Sequence, residues 1–297
     1  MEKLKVNMNI ESDQELIAEM KKMYLECPQA VKYVNDLGIP PEAVDDNIVK
    51  IYDFVSDINY CSKCPGVRKC KKRNPLLCTK LTYSYGVVDR QLVPCKALLK
   101  EITFQNQYAI RDFDDEWLDS NLRSIDRNTG RGEAMLKYQD FIKNKQNHWI
   151  YLVGGKNSGR SYFAATLTVD AARRDRGHIC FLNTSNRFRE LVDLNYSKKK
   201  EEFDKKLELY SNVPILVLDD FGNEYKNDYV RDAILFPIIS TRASKRLLTI
   251  FTSDFSLEDI EALYSNTKPG AIRAKQICKL IKSMCDKEIN LGEISIY

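Results

Sequence analysis

Residues 154–161 read Gly-Gly-Lys-Asn-Ser-Gly-Arg-Ser, a G-x-x-x-x-G-[basic]-[Ser/Thr] pattern with an apolar run at 149–153 before it and a helical pattern over 161–174 after it. A strand running through a glycine loop into a helix constrains the fold strongly, because this context turns a short glycine motif into a phosphate loop. The loop glycines let backbone N–H groups converge on phosphate oxygens, and the positive end of the following helix favours the negative charge. Gly154, Gly155, Lys156, Asn157, Ser158, Gly159, Arg160 and Ser161 are therefore the candidate nucleotide-binding residues. Ser161 would offer its hydroxyl to Mg²⁺ and Arg160 its charge to the outer phosphates. Lysine is usual at the Arg160 position, and the planar guanidinium is not a conservative exchange for a compact ammonium. Lys156 lies within the loop as a partial substitute.

About sixty residues downstream, Ile215-Leu216-Val217-Leu218 ends in Asp219-Asp220. A buried strand closing on carboxylates beside a phosphate loop suits Asp219 to holding magnesium and Asp220 to polarising the attacking water. Around these motifs the sequence predicts strands at 149–153, 178–182, 215–218 and 247–252, alternating with helices at 133–145, 161–174, 186–210 and 228–240. That alternation predicts an α/β domain with a parallel sheet.

The amino-terminal third has a different texture. Apolar positions from Leu16 to Tyr24 recur at helical spacing, with Pro28 as a stop signal, and a second helix is predicted from Pro40-Pro41 through Val55. Residues 81–85 and 87–93 read as short strands. Five of the nine cysteines fall between Cys61 and Cys95. In a chain without a secretory apolar run, such clustering points to metal before disulfides. Cys61-x-x-Cys64 has the spacing of a zinc knuckle, and spacing alone leaves the other two ligands open among Cys70, Cys78 and Cys95. The expected organisation is a helical and zinc-binding domain at 1–100, a polar linker at 101–132 closing on Thr129-Gly130-Arg131-Gly132, and an ATP-binding domain at 133–297.

A formal charge of +4, from 46 basic and 42 acidic residues, does not by itself require nucleic acid. Arg68, Lys69, Lys71, Lys72 and Arg73, with Tyr83 and Tyr85 nearby, could bind phosphates, but a solvated loop accounts for them as well. Arg187, Arg189 and Lys245 read as ordinary surface residues. No apolar stretch approaches the roughly 18 residues of a membrane span, so the expectation is a cytoplasmic protein without membrane partners.

Taken in order, the phosphate loop, Asp219-Asp220-Phe221-Gly222-Asn223-Glu224, Tyr229-Val230-Arg231-Asp232 and the strand from Leu248 to Ser256 resemble the AAA+ domain of the DnaC/DnaI-type replicative-helicase loaders. The cysteine segment resembles that family's amino-terminal domain. The resemblance implies an AAA+ P-loop domain using ATP and Mg²⁺, a zinc-binding domain gripping a DnaB-type replicative helicase, loading onto single-stranded DNA, and action as an oligomer. It also implies zinc ligands at Cys61, Cys64, Cys78 and Cys95, with Cys70 spare, and a sensor of the terminal phosphate at Asp254. The family's sensor is usually asparagine, and its intersubunit arginines align with Gln276 and Leu280. Arg273, Lys275 and Arg242 are candidate replacements. These departures predict nucleotide binding without robust hydrolysis. Two further readings follow: an adaptor that keeps the helicase grip without hydrolysis, and a transposase-partner ATPase, which shares the P-loop domain but generally lacks the zinc module.

Overall fold

The computed structural model describes residues 10–127, 129–143, 148–265 and 267–292. The chain divides into two compact units, Met1–Thr103 and Phe104–Tyr297. Among the described residues, no helix is long and apolar enough to cross a membrane.

The first unit carries α1 (Ile10–Leu25), α2 (Pro28–Asp36), α3 (Pro41–Asp46), α4 (Ile48–Ser62) and the antiparallel hairpin β1 (Leu77–Ser84) and β2 (Val87–Pro94), and the division from the second unit falls within α5 (Lys96–Asn106). Its core joins Ala30 and Val34 of α2 and Ile51 and Val55 of α4 to Leu81 and Val88 of the hairpin. α1 ends at Leu25, ahead of Pro28 as read, and Pro28 also begins α2. At the first helical position its missing N–H would have had no partner anyway, and its fixed φ favours the helix.

The second unit contains β3 (Tyr108–Arg111), α6 (Thr129–Ile142), β4 (Ile150–Val153), α7 (Arg160–Arg173), β5 (Ile179–Asn183), α8 (Thr184–Tyr196), α9 (Lys200–Asn212), β6 (Ile215–Asp219), α10 (Phe236–Lys245), β7 (Leu248–Ser253), α11 (Leu257–Leu263), α12 (Lys268–Cys285) and β8 (Ile289–Asn290). Its strands form one parallel sheet ordered β3-β5-β6-β7-β4-β8. Alternate residues along each strand feed two cores on opposite faces. Tyr151, Cys180, Leu182, Leu216 and Leu218 enter one, while Ile150, Leu152, Ile179, Phe181, Ile215 and Val217 enter the other. This explains why the strands read as continuous apolar runs, and it confirms the expected α/β class.

The segment 101–132 is not a linker. Tyr108 to Arg111 form the sheet edge against Ile179 to Phe181. Phe113 packs on Phe181 with ring centroids 4.9 Å apart, and Leu118 is buried. Its polar appearance misleads because its charges are partnered: Asp112 takes two donors from Arg187 at 2.5 and 2.7 Å. Gly130 is helical rather than part of a linker. A Cβ there would lie 2.2 Å from the Asn290 carbonyl oxygen, so glycine lets α6 pass against β8.

Other departures are local. The long helical stretch is two helices, α8 and α9. The helix expected over 228–240 contains a π-helical turn, Val230–Leu235, just before Pro237, whose nitrogen cannot continue the α-helical ladder. The helix expected at 133–145 begins earlier, and residues 144–145 lie outside the described residues.

Candidate nucleotide-binding site

The sheet order places β7 between the phosphate-loop strand β4 and the acidic strand β6. Val153 pairs with Ser253, and Leu218 with Phe251, so the loop, Asp219 and Asp254 leave neighbouring strands at the same edge of the sheet. Open parallel sheets bind ligands at this carboxyl edge. The loop has the geometry that its glycines suggest. A Cβ on Gly154 would stand 2.9 Å from the Ser158 hydroxyl, and Gly159 adopts φ 77°, the left-handed turn that launches α7. Beside it lies a cleft of about 420 Å³ lined by Glu116, Trp117 and residues 157–162, with Trp117 and Tyr162 meeting edge to face at 5.6 Å.

Asp219 is buried at the end of β6. Its carboxylate accepts from the Thr252 hydroxyl at 2.6 Å, and the Ser161 side chain is near enough to favour its charged form. Burial, against the pull of these donors and of Arg160 and reinforced by Asp220, raises its pKa from 3.8 to about 6. Asp220 follows in the left-handed region at φ 55°, its N–H donating to Thr252 Oγ1 at 3.0 Å. Burial raises its carboxyl too, opposed by Arg160. Thr184 donates to the carbonyls of both aspartates, at 2.9 and 3.0 Å, fixing the backbone that carries them.

Arg160 does not extend freely toward the cleft. Its guanidinium donates to the Gly154 and Ser253 carbonyls, and Nη2 lies 2.6 Å from Asp254 Oδ1. The other Asp254 oxygen accepts from Asn223 at 3.0 Å. Partial burial would raise the Asp254 carboxyl, but Asn223 and Arg160 outweigh it and hold it below its ordinary range. Lys156 and Asn157 are exposed on the loop, and Lys156 lies within the field of Asp254. The structure thus brings together Arg160, Ser161, Asp219, Asp220 and Asp254.

Several supporting residues escaped the sequence reading. Thr184, and Thr252 and Asn223 within quoted motifs, are short polar residues in or just beyond the strands, where only the fold shows what they face. Glu224, within a quoted motif, is buried: it accepts from the Gly222 N–H at 2.7 Å and from the Tyr264 hydroxyl, fixing the turn after the acidic pair. Arg131 donates to the Ser158 carbonyl at 2.7 Å and buttresses the phosphate loop from α6.

The structure brings only part of the expected zinc set together. Cys61 and Cys78 Sγ atoms are 3.7 Å apart, but Cys64 is exposed and Cys95 is buried, its Sγ accepting from the Leu98 N–H at 3.3 Å. Among the described residues no group of three or more His, Cys, Asp or Glu side chains is placed to hold a metal. The Lys72 ammonium, 3.0 Å from Asp57, lies 3.2 Å from Cys78 Sγ and supplies a positive charge there. Burial and the Cys78 thiol raise Cys61 to about 11. Lys72 is also withdrawn from the basic cluster, with only 6% of its side chain exposed.

With this geometry established, the profile of the IstB-like ATP binding protein family matches residues 102–271, more than half of the chain. The chain belongs to that family. The replicative helicase loader DnaI of Bacillus subtilis (strain 168) is 21% identical over 262 residues, covering 86% of this chain and 83% of the loader. A crystal structure of DnaI superposes with TM-score 0.55 at 26% identity, covering 62% of this chain and 97% of that one. A candidate primosome component from Streptococcus pyogenes serotype M3 gives TM-score 0.52 at 25% identity, covering 67% and 100%. The likeness to DnaC/DnaI-type proteins read from the sequence therefore holds.

Against that family pattern, the arginine replacements fare unequally. Gln276 is exposed and Leu280 packs on the core. Arg242 is fully buried, donating to the Tyr210, Val213 and Leu248 carbonyls, so it cannot reach a neighbouring subunit. Arg273 lies over the Phe236 ring at 3.9 Å and pairs with Gln276, while Lys275 is exposed.

Proposed function

We propose that this chain is a helicase loader: residues 1–100 hold a DnaB-type replicative helicase, and the AAA+ unit, with ATP and Mg²⁺ at residues 154–161, helps place the ring on single-stranded DNA. The observation that carries the nucleotide part is the strand order and register that bring the phosphate loop, with Ser161, and Asp219 to the same carboxyl edge of the sheet. These two residues would hold the ion, which would neutralise charge on the outer phosphates, while Asp220 would orient water. Loading over transposase partnership is supported by the extent of the likeness: DnaI aligns over 86% of the chain, including residues ahead of the family profile's start at 102. Assembly of several copies around the helicase ring belongs to this reading.

A second reading, an adaptor that grips the helicase without hydrolysing ATP, is favoured by the Arg160–Asp254 pair. Zinc in the first unit rests on the Cys61–Cys78 separation. It is close to the about 3.8 Å between two corners of a tetrahedron with Zn–S bonds of about 2.3 Å. Zinc retained by the purified protein and lost in Cys61→Ser would support it, and a metal content unchanged by that substitution would oppose it.

The experiment for the main reading mixes the full chain with a DnaB-type helicase and a circular single strand carrying an annealed oligonucleotide. Chain-dependent unwinding with ATP turnover supports the loader. Helicase capture without turnover supports the adaptor, and no capture contradicts both.

A further inference from the structure

The phosphate loop is built for the inner phosphates of a nucleotide and altered where the outermost one would lie. In loops of this kind, backbone N–H groups cradle the inner phosphates, and the basic residue before the Ser/Thr reaches the outer ones. The inner part is intact here: Gly154 makes room for the turn, Gly159 leads into α7, and Ser158, on the cleft wall, is fully buried with a hydroxyl that lacks a hydrogen-bond partner. A bound phosphate is the kind of acceptor such a hydroxyl lacks.

The outer part is different. Arg160 spends its donors on the Gly154 and Ser253 carbonyls and on Asp254, and Asp254 spends both oxygens on Arg160 and Asn223. Lysine with asparagine would present a net positive charge and a neutral donor to a terminal phosphate. Arginine paired with aspartate presents no net charge and an anionic acceptor. Asp219 and Asp220 add two further carboxylates at the same edge, and one Mg²⁺ ion offsets only those two.

We propose that this site takes a nucleoside diphosphate with Mg²⁺ in preference to the triphosphate, and that Asp254 sets the choice. The inference rests on the reading of residues 154–161 as a working nucleotide site. The third phosphate brings further negative charge against Asp254, whose own counter-ion is tied to two backbone carbonyls. Charges a few ångströms apart at a half-exposed protein site change binding by about tenfold or more.

The test is calorimetric titration of the full chain, in Mg²⁺, with ADP and with the non-hydrolysable β,γ-imido analogue of ATP. The diphosphate is expected to bind at least about tenfold more tightly. Asp254→Asn is expected to remove the preference by strengthening the triphosphate analogue while leaving ADP little changed. Because Asp254→Asn deprives Arg160 of its carboxylate, the double variant Arg160→Lys/Asp254→Asn provides a second route to the same loss of preference. Equal or tighter triphosphate binding to the unaltered chain would overturn the preference, and an unchanged ratio in both variants would overturn the role of Asp254, each leaving the nucleotide site standing. Binding of neither nucleotide would overturn both.

Discussion

Arg160 Nη2 lies 2.6 Å from Asp254 Oδ1, so the two site positions at which this chain departs most from the loader pattern are each other's partner. Each change alone leaves a problem at the phosphate loop. An arginine there is longer than the lysine it replaces, and an aspartate just after β7 places an anion where a terminal phosphate would lie. Together they form a charge-assisted contact that also ties the loop's Gly154 carbonyl to the Ser253 carbonyl of β7.

Restoring the family chemistry therefore requires both changes. Steady-state phosphate release from ATP is expected to be slow in the unaltered chain and to rise about tenfold or more in Arg160→Lys/Asp254→Asn, as a freed cation reaches the terminal phosphate. Arg160→Lys alone, still facing Asp254, should recover less.

Asp219 gives a pH signature. Its folded pKa, about 6, exceeds the unfolded value near 3.8, so between these values the folded state binds more protons than the unfolded one. Stability of the chelator-treated protein should fall as pH rises from about 4 to about 6 and level off above, with an amplitude of roughly 2–3 kcal/mol. Asp219→Asn should flatten this slope in denaturant titrations at matched pH values, and it should also abolish the Mg²⁺ dependence of nucleotide binding.

Arg242 illustrates a buried arginine that acts structurally. Burial lowers its pKa to about 9, and its donors satisfy the carbonyls at the end of α9 and the start of β7. Arg242→Met is expected to cost roughly 2–4 kcal/mol by leaving those carbonyls unpaired, read as a lowered Tm. A finger role would instead reduce turnover in the assembled complex at unchanged Tm.

Leu81, fully buried between the hairpin and the helices of the first unit, tests where the helicase is held. Leu81→Ala should destabilise that unit by roughly 2–5 kcal/mol and weaken helicase capture in a pull-down, while Mg²⁺-nucleotide binding persists.

The second unit was legible wherever its signals were local. The phosphate loop, its flanking strand and helix, and the acidic strand announce themselves through glycine placement and continuous apolar runs. Residues 101–132 misled because β3 is four residues long and its neighbours are acidic; only the fold shows Asp112 meeting Arg187 and Phe113 meeting Phe181. The Arg160–Asp254 contact was hidden for a related reason: each residue reads as a defect in its own motif, and 94 positions separate them until β4 and β7 pair. Cysteine spacing pointed to five candidate ligands, of which the structure brings Cys61 and Cys78 together, and it did not reveal that Lys72 would lie against Cys78.

The most direct test of the account is equilibrium binding of an Mg²⁺-adenine nucleotide to the full chain, compared with Ser161→Ala. Saturable binding whose Mg²⁺ dependence disappears in Ser161→Ala is the predicted result. Absence of binding, or binding with the same Mg²⁺ dependence in both proteins, would contradict the assignment of residues 154–161 and Asp219 as the nucleotide site.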